Sequence, residues 1–227
     1  MLSKPFNFSS NFYKKKRKFV KPVHEKSITN VVLETYKEVR KFVSRFVTLR
    51  EEEWDAVMPF IKTQYLKKND YFVREGDIAR YISFTEEGYL RVFYNHDGNE
   101  ITRDISPLHS FVTALPSFVS QKPSFEIIQA ITDCKLFLIY KDDLERLYDH
   151  YNNWQKVGRR VMEEMFIDTQ NRIYSFITQS AEMRYKEMMK KFPDIFLHVP
   201  LQYIASYLGI TSQSLSRLRK SIPFSEE

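Results

Sequence analysis

The chain has 227 residues, 43% hydrophobic and 15% aromatic, which is enough for one large domain or two modest ones with an ample core. A formal net charge of +6 fits a nucleic-acid partner without requiring one, and a single cysteine excludes an internal disulfide and any cysteine-based cluster or zinc site. No run of about 18 apolar residues could span a membrane and the N-terminus lacks the apolar core of a signal peptide, so the expected location is cytoplasmic, with no membrane partner.

Residues 1–28 read as a basic arm. Lys14, Lys15, Lys16, Arg17 and Lys18 form an unbroken block that is either solvated or an auxiliary contact to phosphates. From Asn30 to Phe46, Val32, Tyr36, Val39 and Val43 recur at helical spacing. Thr48 to Glu51 is a possible capping box for a second helix through Trp54 and Val57, limited by Pro59.

Between Ile61 and Ile139 the pattern changes to short alternating or apolar runs separated by turns: YLKKND, YFVREGD, YISFTEEG, YLRVFYNHDGNE and the run from Phe125 to Ile139. Asp97-Gly98 predicts a hairpin, because a type I′ turn needs positive φ at both central residues, and Gly76-Asp77 and Gly88 mark two further turns. Strands at this spacing predict a small antiparallel barrel or jelly roll. Cys134, in the apolar run CKLFLI, reads as a small buried hydrophobe rather than a reactive thiol.

A helical stretch begins at Asp142 and runs to Tyr148, and Trp154 to Thr178 reads as one long helix. Met162, Phe166, Thr169, Ile173 and Phe176 follow the alternating spacing of a coiled-coil seam, beside a second stripe of Val157, Val161 and Met165. One stripe can face the barrel and the other a second copy of the helix; the alternative is a helix that only covers its own domain. Ser180 is the expected N-cap of a helix through Phe192, with Tyr185, Met188, Met189 and Phe192 on one face and Pro193 closing it.

Val199 to Ile222 reads as two short helices joined by a glycine turn. Ile204, Leu208, Ile210, Leu215 and Leu218 supply the buried faces, Ala205 permits a close crossing, and Gly209 can take the positive φ of the turn. Pro200 suits the first turn of the first helix and Thr211 the N-cap of the second. The outward side of the second helix carries Ser212, Gln213, Ser216, Arg217 and Lys220 and no acidic residue, a set able to form forked hydrogen bonds to base edges. An amphipathic hairpin with a solvated basic face is the plainer reading of the same residues.

Barrel, long helix, hinge and terminal helix-turn-helix, in this order, resemble the Crp/Fnr family of bacterial transcription regulators. The resemblance covers roughly Val31 to Ile222 and is carried by FVREGD, by the hairpin with YLRVFY, and by SAEMRYKEMMKKFPDIFLHVPLQYIASYLGITSQSLSRLRK. It implies an α+β architecture: a cyclic-nucleotide-binding-like barrel over residues 29–152, a dimerisation helix over 153–179 and a DNA-binding domain over 180–227. It further implies a homodimer joined through Met162, Phe166, Thr169, Ile173 and Phe176. Two recognition helices would enter successive major grooves about 34 Å apart on a near-palindromic site. Thr211, Ser212, Gln213, Ser216, Arg217 and Lys220 would face double-stranded DNA, and RNA polymerase would be a further partner.

At the effector site the chain departs from the resemblance. Members that bind cyclic AMP carry a Gly-Glu pair and, about ten residues on, an Arg followed by Ser or Thr. In SPLHSFVTALPSFVSQKPSFEII there is no Gly-Glu, Pro123 takes the place of the Arg, and Ser124 alone matches. Lys122 offers a point charge without a fork. The expected effector residues are therefore Ser124, Lys122 and Thr169, for an unidentified small molecule other than cyclic AMP, or for none. The four-cysteine cluster of oxygen-sensing relatives is ruled out by Cys134 standing alone, and no cofactor is expected.

Barrels of this kind also house metal enzymes, so His96, Glu100 and His109 need weighing. No His-x-His pair supplies neighbouring ligands, and there is no Gly-rich phosphate loop, G-x-S-x-G elbow or paired catalytic carboxylate. Neither a metal site nor catalysis is expected. A protein that keeps the fold for effector or protein binding, without specific DNA binding, is the alternative function.

Overall fold

A computed structural model describes residues 36–222, and Lys37 onward forms one compact unit. The basic block Lys14 to Lys18 and Val32 lie outside the described residues. Helix α1 (Lys37–Ser44) buries Val39 and Val43, as their spacing predicts. Helix α2 (Glu51–Val57) opens two residues later than the expected Thr48 box: Arg50 holds the N-cap position and donates its backbone N–H to the Glu53 carboxylate at 2.9 Å. A glutamate at the third helical position does this work whatever the cap residue is, which is why the cap moved.

Eight strands follow, β1 (Lys62–Leu66), β2 (Tyr71–Val73), β3 (Tyr81–Glu87), β4 (Leu90–His96), β5 (Asn99–Ser106), β6 (Phe111–Val112), β7 (Ile127–Ala130) and β8 (Cys134–Tyr140). They form two four-stranded antiparallel sheets, in the orders β1-β8-β3-β6 and β2-β7-β4-β5. Leu90, Val92, Ile128 and Leu136 are among the most deeply buried residues of these sheets. The β4–β5 turn is as expected, with Asp97 at φ 51° and Gly98 at φ 82°. The two-residue β6 and helix α3 (Leu115–Ser120) were not legible, being too short for either to show a period.

Cys134 is 4% exposed, and burial pushes its thiol up to about 11. The native chain at pH 8 is therefore expected to resist iodoacetamide, and the urea-unfolded chain to react with it, as mass spectrometry would show; rapid labelling of the native chain would contradict this burial.

Helix α4 (Lys141–His150) leads into the long helix α5 (Asn152–Thr178). Trp154, Val157 and Val161 bury its first half. Trp154 meets Trp54 edge to face at 5.5 Å and donates its indole N–H to the Glu53 carbonyl at 2.9 Å, so α2 and α5 are tied together. Helix α6 (Ala181–Lys191) is capped by the Ser180 hydroxyl, which accepts from the Met183 N–H, and it buries Tyr185 and Met188. After the short α7 (Ile195–His198) come α8 (Leu201–Leu208) and α9 (Ser212–Ser221). Pro200 stands one place before the first turn of α8, where its carbonyl accepts the opening hydrogen bonds. Among the described residues no helix is long and apolar enough to cross a membrane.

Candidate nucleic-acid interface and effector chamber

Two short helices hold their angle only if the turn between them is fixed and their crossing is buried. Gly209 takes φ 67°, ψ 35° and ends α8, while the Thr211 hydroxyl accepts the Ser214 N–H at 3.1 Å to start α9. Ile204, Ala205, Leu208 and Leu215 are buried at the crossing, with Ile210 and Leu218 packed against them. This leaves Thr211, Ser212, Gln213, Ser216, Arg217 and Lys220 all exposed on the outside of α9. Arg219 adds a third basic side chain, and no acidic residue occurs between Leu201 and Ile222. The near end of α9 and its outer face can therefore approach a polyanion without like-charge repulsion.

The helix pair is fastened to the barrel. The Thr102 N–H on β5 donates to the Ser206 hydroxyl at 2.9 Å, and Arg172 on α5 donates to the carbonyls of Tyr207 at 2.7 Å and Thr102 at 3.3 Å. Arg184 donates to the Leu208 carbonyl at 2.9 Å, closing the end of α8. Arg91, 2% exposed, pairs with Glu100 at 2.7 Å, and its guanidinium lies 3.8 Å from the ring centres of both Phe93 and Tyr203. The β4–β5 hairpin is thus joined to α8 through polar contacts as well as packing.

A chamber of about 490 Å³ opens where β5, α5 and α8 meet, within the usual range for small-molecule sites. The register of β4 against β5 slips between Val92, opposite Asp104, and Phe93, opposite Thr102, so Arg103 is the extra residue of a bulge and faces the chamber. Its Nε lies 2.8 Å from Oε1 of Glu126, which is 3% exposed. Burial raises the Glu126 carboxyl above its ordinary value, against the opposing pull of Arg103 and a hydrogen bond from the Tyr94 hydroxyl. Burial likewise lowers Arg172 and raises Tyr207, which face each other across the far wall.

Of the expected effector residues the chamber gathers Thr169 alone. Ser124 is buried with its hydroxyl donated to the Glu126 carbonyl, and Lys122 is exposed, so neither lines it. With Pro123 in place of an arginine, the segment has no forked donor to pair a cyclic phosphodiester. Arg103 and Glu126 escape a sequence reading because a bulge position and a lone carboxylate just before a short apolar strand leave no motif. His96 stands in the exposed hairpin and His109 stacks on Phe84; among the described residues no group of three potential ligands could hold a metal ion.

Of the expected seam on α5, Phe166, Ile173 and Phe176 are exposed. Met162 and Thr169 are half-buried, and the Phe176 ring packs over Arg172 and Arg184 and lies where a side chain at Gly209 would be. Phe166, Ile167, Ile173, Tyr174 and Ile177 are the exposed apolar row, at 62%, 54%, 48%, 63% and 77%. Helical spacing puts these five opposite Val157 and Val161, because the buried stripe faces the barrel and the free face must lie across the helix from it.

Residues 63–151 match the family described as the cyclic nucleotide-binding domain. No curated protein matches the chain. Among solved structures, FixK2 from Bradyrhizobium japonicum superposes with a TM-score of 0.60 at 15% identity, covering 71% of this chain and 83% of that one. The c-di-GMP responsive global regulator CLP of Xanthomonas campestris gives 0.59 at 16% identity, covering 76% and 91%. A protein from Eubacterium rectale assigned to the Crp/Fnr family of transcriptional regulators gives 0.59 at 18% identity, covering 76% and 83%. Residues 63–151 thus match the model of that domain, and the chain shares the fold of these structures.

Proposed function

We propose that this chain, a cyclic nucleotide-binding domain joined by a long helix to a helix-turn-helix, is a dimeric DNA-binding transcription regulator. In this reading residues 29–152 sense, 153–179 join two copies and 180–227 bind DNA, with RNA polymerase as the further partner. The observation that carries it is the outer face of α9: capped, braced by buried Leu215, fully exposed, and basic without an acidic neighbour. Arg217 can fork onto guanine O6 and N7 and Gln213 onto adenine N6 and N7, while the remaining polar groups hold phosphates. Phe166, Ile167, Ile173, Tyr174 and Ile177 are the proposed dimer face, in place of the Thr169 and Phe176 end of the expected seam.

Selection from random duplexes tests the reading, which expects a near-palindromic consensus. Against that consensus Arg217→Ala is expected to lose roughly 1–3 kcal/mol and to relax preference at one position in each half-site, measured by competition gel shift. Equal weakening on all sequences would make Arg217 a phosphate contact, and a selection that converges on nothing would remove the reading altogether.

A further inference from the structure

The chamber holds a polar group with an unmet need. Oε1 of Glu126 accepts from the Tyr94 hydroxyl at 3.4 Å and forms an ion pair with Arg103, whose Nε lies 2.8 Å away without hydrogen-bond geometry. Oε2 of the same carboxylate is equally buried and has no hydrogen-bond donor among the described residues. A carboxylate oxygen shut away from water without a donor costs free energy, and a ligand N–H or O–H would recover it. Arg103 supplies the complementary feature. Nη1 stands 3.9 Å from Asp104, beyond hydrogen-bond length, so its fork keeps donors for an acceptor placed in the chamber. Tyr94 and Phe125 add a flat aromatic patch, their rings stacked with centres 5.9 Å apart, and Met165 of α5 also lines the chamber, beside the charged Asp168, Arg172, Glu187 and Lys191.

The geometry points to a binding site for an aromatic acid, a flat molecule whose carboxylate or sulfonate meets Arg103 and whose adjacent N–H or O–H donates to Oε2 of Glu126. Such a ligand touches β5, α5 and Tyr207 of α8 at once, so its binding bears on the placement of the helix-turn-helix. The inference rests on the barrel being the sensing half of the proposed regulator.

The test uses the full chain and 1-anilinonaphthalene-8-sulfonate, which carries aromatic rings, one N–H and one sulfonate. Saturable fluorescence at one site per chain is expected. Glu126→Gln keeps the side chain's shape but removes the charge and can turn an amide donor toward the ligand, and it should weaken binding about tenfold or more. Thr169→Trp fills the chamber from α5 and should abolish the signal; the Thr169 hydroxyl bonds only its own helix, to the Met165 carbonyl, so the fold is kept, as circular dichroism would record. Absence of saturable binding overturns the inference. Binding by Thr169→Trp at parental strength removes the chamber as the site, and by Glu126→Gln removes the ligand class. DNA binding is read separately, so failure here leaves the regulator reading standing, and failure there leaves this site standing.

Discussion

The chain carrying Ile173→Asp and Ile177→Asp is expected to sediment as a monomer and to bind its operator about 100-fold or more weakly than the parent. Both side chains lie on the exposed row of α5, at 48% and 77%, where they touch little within the chain, so the folded monomer should survive. Between two copies the same row would be desolvated, and two carboxylates on each side would face each other there. Burying unpaired like charges costs more than such an interface returns. Operator affinity falls because linking two half-site modules raises the overall affinity by a factor of about 10² to 10⁴. Sedimentation velocity and a gel shift on the selected site check both parts. An unchanged dimer would place the contact elsewhere on the chain, and a monomer with full affinity would detach DNA binding from dimerisation.

Gly88→Val is expected to cost about 3–5 kcal/mol of stability, from a strained backbone and an overfilled core together. Gly88 has φ 86°, and a Cβ there would fall on the Asp133 carbonyl oxygen and the Cys134 sulfur at the start of β8. The colliding carbonyl is main chain one residue before β8, so it cannot move without shifting the start of that strand. Gly98→Ala is the comparison: its φ is 82° but nothing lies within 4 Å, and only the backbone cost of about 1 kcal/mol should appear. Urea unfolding measures both, with a shifted midpoint at constant slope as the expected form. Equal losses for the two variants would mean that the Asp133 strand start yields to the added methyl groups.

Much of this molecule is written locally. The Asp97-Gly98 hairpin, the Ser180 and Thr211 caps and the α8–α9 crossing each depend on a few neighbouring residues, so composition and spacing identify them. What escaped reading is long-range. Arg103 faces the chamber because β5 slips by one residue against β4, and Glu126 meets it from the position just before β7. Ser206 finds Thr102 only once α8 has docked. On α5, helical spacing defines several overlapping apolar stripes, and the one left exposed is set by which stripe is buried, here that of Val157 and Val161. Ser124 and Lys122 lie outside the chamber: the Ser124 hydroxyl donates to the Glu126 carbonyl, and Lys122 is exposed.

The central claim is specific recognition of DNA by paired α9 helices. A nuclease footprint of the purified chain on the DNA upstream of its own coding sequence tests it most directly. The account predicts protection of two similar half-sites about 34 Å apart on one face of the duplex, surviving excess bulk DNA at moderate salt and lost with the α5 double variant. Binding that bulk DNA competes away equally from every fragment would contradict it.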